Sequence, residues 1–485
     1  MARFAAHSYP VMPPVMVGRD AELVAGAAWL TNALAGHGTL ALVAGEAGIG
    51  KSRLTCALSE LATARGFRLL RGLCGEHDRA YPFAPLLDAF RQQLRRAPVT
   101  DGVEALFGPD AAPFARLLPE LALPGAAPLP PLPPLPPEAE KRRLFEAFVR
   151  VFARRAATAP LLVVLEDLHW ADEATLDLLA LLPRRLAEAR VLVLGTARTD
   201  EPGSAVPHWR AGLTRAGLLH TLDLAPLAPG DVDRLIASTP RPPSPTAVAA
   251  IHAQGEGNPF FIEELLRAWA EANTDTRDAA PPTIPASVRD AVTHHLDALD
   301  APTRAVAEAA AAIGQQFALG TLAAVMEAAP ASLAPALRAL VAAYLVTEEA
   351  DNAFAFRHAL TREAVYARLL AVERRRWHGA VARALAADAA AGLPVPVGEL
   401  GYHAHAAGEW EAARRWCTQA GAEALALHVP HAAITHFTRA LEAAAHIGAP
   451  PAAALHGRGQ AYASLGDRRR AERDGWRGRG DRFGS

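Results

Sequence analysis

Residues 39–64 read TLALVAGEAGIGKSRLTCALSELATA, and this stretch decides the fold. The first six residues are apolar enough for a buried strand, the next eight match GxxxxGK[ST], and the remainder has a helical composition. Glycines in such a loop let backbone N–H groups surround a phosphate, and the following helix adds partial positive charge at its N-terminus. The stretch therefore predicts a P-loop between a strand and a helix.

The P-loop predicts a binding site for ATP or ADP with Mg²⁺. Lys51 is expected to reach the β- and γ-phosphates, and the hydroxyl of Ser52 is expected to bind the metal. The whole loop is a candidate for phosphate contact: Gly45, Glu46, Ala47, Gly48, Ile49, Gly50, Lys51 and Ser52.

A second stretch, LVVLEDLHWADEATLDLL at 162–179, carries two adjacent acids after an apolar run. Ionisable carboxylates at the end of a buried strand are costly unless they have a partner. A P-loop ATPase needs such acids, one for the Mg²⁺ shell and one to polarise the attacking water. Glu166 and Asp167 are therefore predicted to complete the site. His169 and Trp170 are interpreted as packing or supporting residues, and Asp172 as a helix N-cap.

Short apolar runs alternate with helical patterns over the first half of the chain. Runs of this length predict an α/β fold with a parallel sheet covered by helices on both faces. The predicted strands are 39–44, 67–74, 161–166, 191–197 and 220–226. A Pro-rich insertion at 124–137 is interpreted as an extended surface linker; the alternative is a PxxP ligand for a partner domain.

Helical patterns dominate after residue 230. Helices are predicted at 231–237 and 258–272, and a hairpin centred on Asp351 and Asn352 indicates a winged-helix-like domain. Turn signals near Gly408, His428–Pro430, Gly448 and Gly466 predict helical hairpins of tetratricopeptide type. The predicted division is an N-terminal tail at 1–16, a P-loop ATPase core at 17–230, a helical lid at 231–283, a winged-helix-like domain at 284–370, repeats at 371–470 and a disordered or altered tail at 471–485.

Composition excludes several other classes of protein. The chain has 485 residues, which is too long for one core, and a net charge of −2, which gives no general attraction to nucleic acid. Three widely spaced cysteines exclude a disulfide scaffold and a cysteine-based zinc site. No signal peptide and no run of eighteen apolar residues is present in the sequence, so we expect a cytoplasmic location.

Several motifs in combination resemble a known family. They are VGRDAEL (17–23), the stretch at 162–179, GNPFF (257–261), IPASVRDAV (284–292) and FRHALTREAVYARLL (356–370). Together they resemble the STAND branch of AAA-related ATPases, and more closely the ATPase half of large LuxR-type transcriptional regulators. The resemblance extends from about residue 16 to residue 470.

The resemblance implies roles for individual residues. Val17, Gly18 and Arg19 would border the adenine. Glu166 would take the position of the magnesium-shell acid and Asp167 that of the catalytic acid. The order Glu before Asp reverses the Asp-Glu order usual in AAA enzymes.

Three further residues have both a functional and a structural interpretation. Arg198 resembles a sensor arginine that detects the γ-phosphate; the alternative is a surface arginine at a strand end. Pro259 resembles a proline that packs on the adenine; the alternative is a helix-starting proline. His358 resembles a winged-helix histidine that contacts a nucleotide phosphate; the alternative is a histidine that closes the hairpin.

The family resemblance implies a slow ATPase that acts as a signalling switch. We expect a small-molecule or protein inducer on the repeats and ATP-dependent self-association. We expect no DNA binding by this chain alone, because PASLAPALRALVAAY (330–344) has one arginine and no helix-turn-helix follows residue 470. A truncated or partial LuxR-type regulator is thus expected. The alternatives are an ATPase module that accompanies a class III adenylyl cyclase, a repeat scaffold with a slow or inactive ATPase, and a standalone DNA-binding regulator.

Overall fold

The computed structural model describes most of the chain. The described ranges are 16–75, 81–95, 106–115, 137–199, 204–239, 243–272, 299–343, 345–349, 352–357, 359–393 and 395–475, with a few isolated positions between them. The Pro-rich insertion predicted at 124–137 lies mainly outside the described residues. So do the predicted boundary between lid and winged-helix-like domain and the candidate residue His358.

Five parallel strands form the first sheet, in the order β2-β3-β4-β1-β5. They are β1 (Thr39–Gly45), β2 (Arg68–Leu73), β3 (Leu161–Glu166), β4 (Val191–Arg198) and β5 (His220–Asp223). The predicted α/β P-loop NTPase fold is confirmed. The strand that carries the acids does not pair with β1. Instead β4 lies between them and pairs Arg198 with Gly45.

Helices cover both faces of this sheet. They are α1 (Asp20–Leu34), α2 (Lys51–Ala64), α3 (Ala84–Arg95), α4 (Pro137–Thr158), α5 (Glu173–Arg185) and α6 (Val206–Arg215). Along β1, Ala41 and Val43 join the cluster formed with α1 and α2, whereas Leu40 and Leu42 join the cluster formed with α3, α4 and α5. Burial on both faces explains why the strands are apolar at successive positions rather than alternating.

A small helical unit follows the sheet. Its helices are α7 (Pro229–Ala237), α8 (Pro245–Gly255) and α9 (Pro259–Ala272), and each begins with proline at the first helical position, where the missing N–H has no cost. They pack around one apolar cluster that includes Leu235, Ile251 and Ile262. We call this unit the lid. The helices predicted at 231–237 and 258–272 correspond to α7 and α9.

A second, antiparallel sheet lies in the region predicted to be winged-helix-like. The helices and strands of this region are α10 (Ala301–Ile313), β6 (Gln316–Ala318), α11 (Leu319–Val325), α12 (Pro330–Ala342), β7 (Val346–Glu348), β8 (Ala353–Phe356) and α13 (Ala359–Arg368). The predicted hairpin corresponds to β7 and β8, which pair antiparallel. Strand β6 was not predicted, because three residues are too short to show a pattern. It is held by Phe317, which stacks on Phe354 with ring centres 5.9 Å apart.

Helical hairpins make up the last part of the chain. They comprise α14 (Ala371–Ala390), α15 (Val397–Ala407), α16 (Trp410–Ala426), α17 (Pro430–Ile447), α18 (Ala452–Ser464) and α19 (Arg468–Arg473). The predicted turns are confirmed at Gly408, His428, Gly448 and Gly466, which all have positive φ and end the preceding helix. The last helix runs to Arg473, three residues beyond the predicted end of the repeats.

The repeats fold back onto the first domain. Phe437 and Ala433 of α17 belong to the same apolar cluster as Phe83 and Phe148 beside the sheet. His431 forms an ion pair with Glu173 at the start of α5. The first domain and the repeats therefore share one continuous core.

Three properties of the described residues bear on the classes of protein considered above. Cys56, Cys74 and Cys417 are free thiols. The described part of the chain contains no group of three or more His, Cys, Asp or Glu side chains placed to hold a metal ion. Within it, no single helix is both long and apolar enough to cross a membrane, and α11 with α12 reach that length only as a pair bent by 110°.

Glycines in the repeats allow neighbouring helices to pack closely against the ring of Phe437, and this packing can be tested. A Cβ at Gly457 would lie 2.3 Å from the ring of Phe437, and one at Gly421 would lie 2.8 Å from it. Overpacking of this kind costs about 1–3 kcal/mol, more than the roughly 1 kcal/mol that alanine adds to a helix. Gly457→Ala should therefore lower the Tm in calorimetry. Gly212→Ala is the control, since nothing lies near that position in α6, and it should raise the Tm. A higher Tm in both variants would contradict the close packing of Phe437 against Gly457.

Candidate functional site

The loop from Gly45 to Ser52 curls between β1 and α2. Its turn depends on positive φ at Gly48 (78°) and Gly50 (102°), a conformation that L side chains rarely adopt. The side chain of Lys51 is buried, and its Nζ donates to the carbonyl oxygens of Gly45 at 2.9 Å and Glu46 at 2.7 Å. The ammonium is thus held across the loop, while Ser52 is exposed.

The lid is fastened directly to this loop. Asn258 Nδ2 donates to the carbonyl oxygen of Ala47 at 2.9 Å, and its Oδ1 accepts the N–H of Phe260 at 3.1 Å. A Cβ at Gly48 would lie 2.9 Å from both Asn258 Oδ1 and Phe260 Cβ, so only glycine permits this approach. Arg53 and Glu263 add an ion pair of 2.7 Å between α2 and α9. A movement of the lid would therefore change the contacts of the loop.

The N-terminal segment also reaches the loop. Arg19 is buried and donates to the carbonyl oxygens of Ile49 at 3.1 Å and Ala225 at 2.7 Å. Gly18, with φ of 67°, lies against Asp231 of the lid.

Three residues predicted to border the adenine line one small pocket. Val17, Arg19 and Pro259 meet around a volume of about 30 Å³ beside Ile49. Such a volume holds roughly one or two water molecules. A purine base needs more space than this pocket offers in the present arrangement of lid and loop.

Glu166 ends β3 as a buried carboxylate with a defined partner. Its Oε1 accepts from Arg71 Nε at 2.9 Å and from Arg71 Nη2 at 2.5 Å, and Arg71 lies on the neighbouring strand β2. The negative charge of Glu166 raises the pKa of Arg71 above its usual value. A metal ion bound at Glu166 would compete with this ion pair.

Asp167 follows in a left-handed conformation, with φ of 58°. Its N–H donates to Thr196 Oγ1 on β4 at 2.9 Å. Burial, followed by repulsion from Glu166, raises the pKa of the Asp167 carboxyl to about 6, although attraction from Arg198 and Lys51 opposes the shift. Because both cations act on this carboxylate, the loop lysine, the acid and the strand-end arginine lie around one site.

His169 and Trp170 support the turn after the acids. His169 is buried, and its Nδ1 accepts the N–H of Arg198 at 3.3 Å, which joins the turn to β4. Trp170 packs against the core beside the sheet. Asp172 is the N-cap of α5, as predicted, and its Oδ1 accepts the N–H of Thr175 at 3.0 Å.

Arg198 contacts another part of the chain. Its Nη2 lies 2.7 Å from Glu363 Oε1 on α13, and its guanidinium is largely buried. The pair joins residues 165 positions apart in sequence. The sheet is thus linked to the winged-helix-like region through the arginine predicted to detect the γ-phosphate.

Three residues at the site were not identified from the sequence. Arg71 gave a weak signal, since it is a charge inside an otherwise apolar strand. Asn258 precedes Pro259 in GNPFF, where only the proline was considered. Glu363 gave no signal, because nothing local marks it as the partner of Arg198.

The sheet order, the loop and the adjacent acids define a P-loop nucleotide-binding domain. Residues 15–194 match the family model described as AAA ATPase domain. This part of the chain is accordingly similar to AAA ATPase domains, a class that binds a nucleotide, usually with Mg²⁺. The residues present fit both groups: the N–H groups and Lys51 suit phosphates, and Ser52 with Glu166 supplies oxygen ligands of the kind Mg²⁺ prefers.

Similar proteins lie at some distance. An uncharacterized protein of Rhizobium meliloti (strain 1021) is 27% identical over 429 residues, which are 84% of this chain, and the chain spans 40% of that relative's length. The crystal structure of a STAND protein with a tetratricopeptide repeat sensor from Pyrococcus horikoshii is 14% identical, covers 97% of this chain and 65% of its own, and has a TM-score of 0.46. The Aeropyrum pernix ORC1 protein, in complex with DNA, is 16% identical over 73% of this chain and 93% of its own, with a TM-score of 0.35. Both TM-scores lie below 0.5, so neither likeness bears on function.

The raised pKa of Asp167 gives a stability prediction. Ionising this carboxyl in the folded state costs up to about 3 kcal/mol, a penalty that is complete above pH 6 and disappears as the pH falls toward 4. Asparagine tolerates the left-handed backbone. Asp167→Asn should therefore raise the Tm at pH 7.5, and the gain should shrink on acidification. Asp388→Asn on α14 is the control and should show no such trend. A gain in Tm that does not depend on pH would show that the cost of ionising Asp167 is not its cause.

Proposed function

We propose that the protein is an ATP-dependent signalling switch of the STAND type. In this proposal the AAA-type domain binds ATP or ADP, the lid and winged-helix-like region report the nucleotide state, and the repeats receive an inducer. The observation that carries the proposal is the ion pair between Arg198 and Glu363.

The ion pair creates a competition. A γ-phosphate bound at the P-loop is a strong anion close to Arg198, and a guanidinium binds phosphate at least as well as it binds a carboxylate. Arg198 therefore has two alternative partners, Glu363 in this structure and the γ-phosphate of ATP. Binding of ATP would weaken the attachment of α13 to the sheet, whereas ADP would leave it intact. A ligand that discriminates between two states in this way shifts their populations.

The residues of the site have separate tasks in this proposal. The loop N–H groups and Lys51 hold the phosphates, and Ser52 with Glu166 would hold Mg²⁺, which neutralises phosphate charge when bound. To hold the metal, Glu166 would have to give up its ion pair with Arg71. Asp167 orients and polarises the attacking water, for which it must be ionised, so turnover falls below about pH 6 in the free enzyme.

The repeats supply the second input. They share a core with the AAA-type domain, so an inducer that alters their packing changes the stability of the resting arrangement. Self-association in the ATP state, a cytoplasmic location and membership of the LuxR-type regulators are parts of the same proposal. They are supported by the motif resemblance at 162–179, 257–261 and 356–370.

The experiment that tests nucleotide binding is a thermal shift with Mg-ADP and Mg-ATP. Nucleotide at about a thousand times its Kd should stabilise the protein by roughly 4 kcal/mol. Lys51→Ala should abolish this gain, because it removes the cation held across the loop. Lys141→Ala, which loses an ion pair with Asp177 on the surface, is the matched control and should respond like the original protein. A Tm that ignores both nucleotides would refute the proposal.

A second variant tests the competition for Arg198. Glu363→Gln keeps the shape of the side chain but removes its charge, so Arg198 is released toward the γ-phosphate. Because a partly exposed ion pair contributes at most about 1 kcal/mol, we expect ATP turnover to rise about two- to fivefold. Glu348→Gln on β7 is the control for a charge lost from the same region. Unchanged turnover and unchanged ATP affinity in Glu363→Gln would show that the pair does not restrain the site.

A further inference from the structure

A pocket of about 520 Å³ lies where three parts of the chain meet. One wall comes from α3 and the end of β2, a second from β6 and the end of α10, and the third from α14 to α17 of the repeats. Pockets that bind small molecules commonly have volumes of this order and lie between domains. This one is separate from the P-loop, and none of the residues assigned to the nucleotide site lines it.

The charge of the pocket is unbalanced. Three carboxylates line it, those of Asp88, Glu399 and Glu423, against one guanidinium, that of Arg91. Two of the carboxylates have partners: Asp88 accepts from Gln92 at 2.9 Å, and the exposed Glu423 accepts from Gln419 at 2.9 Å. The pocket is thus negative overall and suits a cation.

Glu399, which is partly buried, accepts no hydrogen bond from the residues that the structure describes. Burial raises the pKa of its carboxyl, the attraction of Arg91 opposes this only in part, and repulsion from Asp88 adds to the rise. A carboxylate removed from water without a donor is costly, and a bound ammonium group would relieve that cost.

The rest of the lining suits an apolar body attached to such a cation. Phe317, Leu87 and Val381 contribute apolar surface. Tyr81 packs edge-on against His436, with ring centres 5.8 Å apart, and lies so close to Gly398 that a Cβ there would be 2.4 Å from its ring. The walls from the first domain and from the repeats are therefore in contact at this point.

We propose that this pocket binds a small organic cation, an ammonium group on an apolar or aromatic body, with Glu399 as its counter-ion. The ligand would bridge the first domain, the winged-helix-like region and the repeats, and so stabilise the arrangement in which the three are packed together.

Two hydrogen bonds and one turn of helix connect the pocket to the partner of Arg198. His403 in the pocket wall shares a hydrogen bond of 2.8 Å with His378, both through Nδ1, and His378 Nε2 is 2.8 Å from the hydroxyl of Tyr366. Tyr366 lies on α13, one turn from Glu363, the partner of Arg198. Occupation of the pocket would thus hold α13 and keep Arg198 engaged. This coupling, unlike binding itself, rests on the proposed function.

The test is calorimetric titration of the full chain, without nucleotide, with three probes of similar shape. They are 2-phenylethylammonium, the neutral 2-phenylethanol and the anion 3-phenylpropanoate. The cation should bind saturably at one site and at least tenfold more tightly than either other probe. Glu399→Gln should weaken the binding of the cation at least tenfold and leave the binding of the alcohol unchanged. Thr321→Trp, which fills the pocket from α11, should weaken the binding of both the cation and the alcohol. Glu411→Gln on the surface of α16 is the control.

Several outcomes would overturn the proposal. They are failure of the cation to saturate, equal binding of cation and alcohol, preference for the anion, and undiminished cation binding in a folded Glu399→Gln variant. The titration is repeated in Lys51→Ala, where nucleotide binding is expected to be lost. Binding of the cation there would uphold the pocket even if the switch proposal failed. With the original protein, the cation should lower ATP turnover at least twofold; unchanged turnover alongside saturable binding would refute the coupling alone.

Discussion

Parallel pairing of β1, β4 and β3 brings three strand ends to one edge of the sheet, and the rest of the site depends on that register. Arg198 lies opposite Gly45, and Glu166 ends the strand on the far side of β4. Because carboxyl ends of parallel strands meet at the same edge, a loop, two acids and an arginine from distant parts of the sequence become neighbours.

Charged groups at such an edge are partly buried, and burial requires partners. Each one has a partner supplied by a different element: Arg71 for Glu166, loop carbonyl groups for Lys51, and Glu363 for Arg198. In the proposed function, these same groups would contact phosphates, metal or water. The site is therefore held closed by contacts that a nucleotide would replace, which is a physical basis for two alternative states. The lid follows the same rule, because Asn258 donates a hydrogen bond to the loop carbonyl of Ala47.

The sequence predicted those features that arise from local pattern. All five strands of the first sheet, the P-loop, the cap at Asp172 and the turns of the repeats follow from apolar runs, glycines and capping chemistry within a few residues. Contacts between distant elements could not be predicted in this way. Nothing in FRHALTREAVYARLL marks Glu363 as a partner for Arg198, and the three residues of β6 are too few for a pattern. The left-handed backbone of Asp167 also depends on its tertiary bond to Thr196 rather than on its neighbours.

Two residues one turn apart on helix α13 contact different parts of the chain. Glu363 contacts the sheet through Arg198, and Tyr366 contacts the repeats through His378. A short rigid helix cannot move at one of these residues without moving at the other, since they are separated by three positions on one face. In the proposed function, the nucleotide site and the pocket beside the repeats would therefore act on the same element. Any ligand that favours one position of α13 must change the affinity of the other site, and by thermodynamic reciprocity the effect runs equally in both directions.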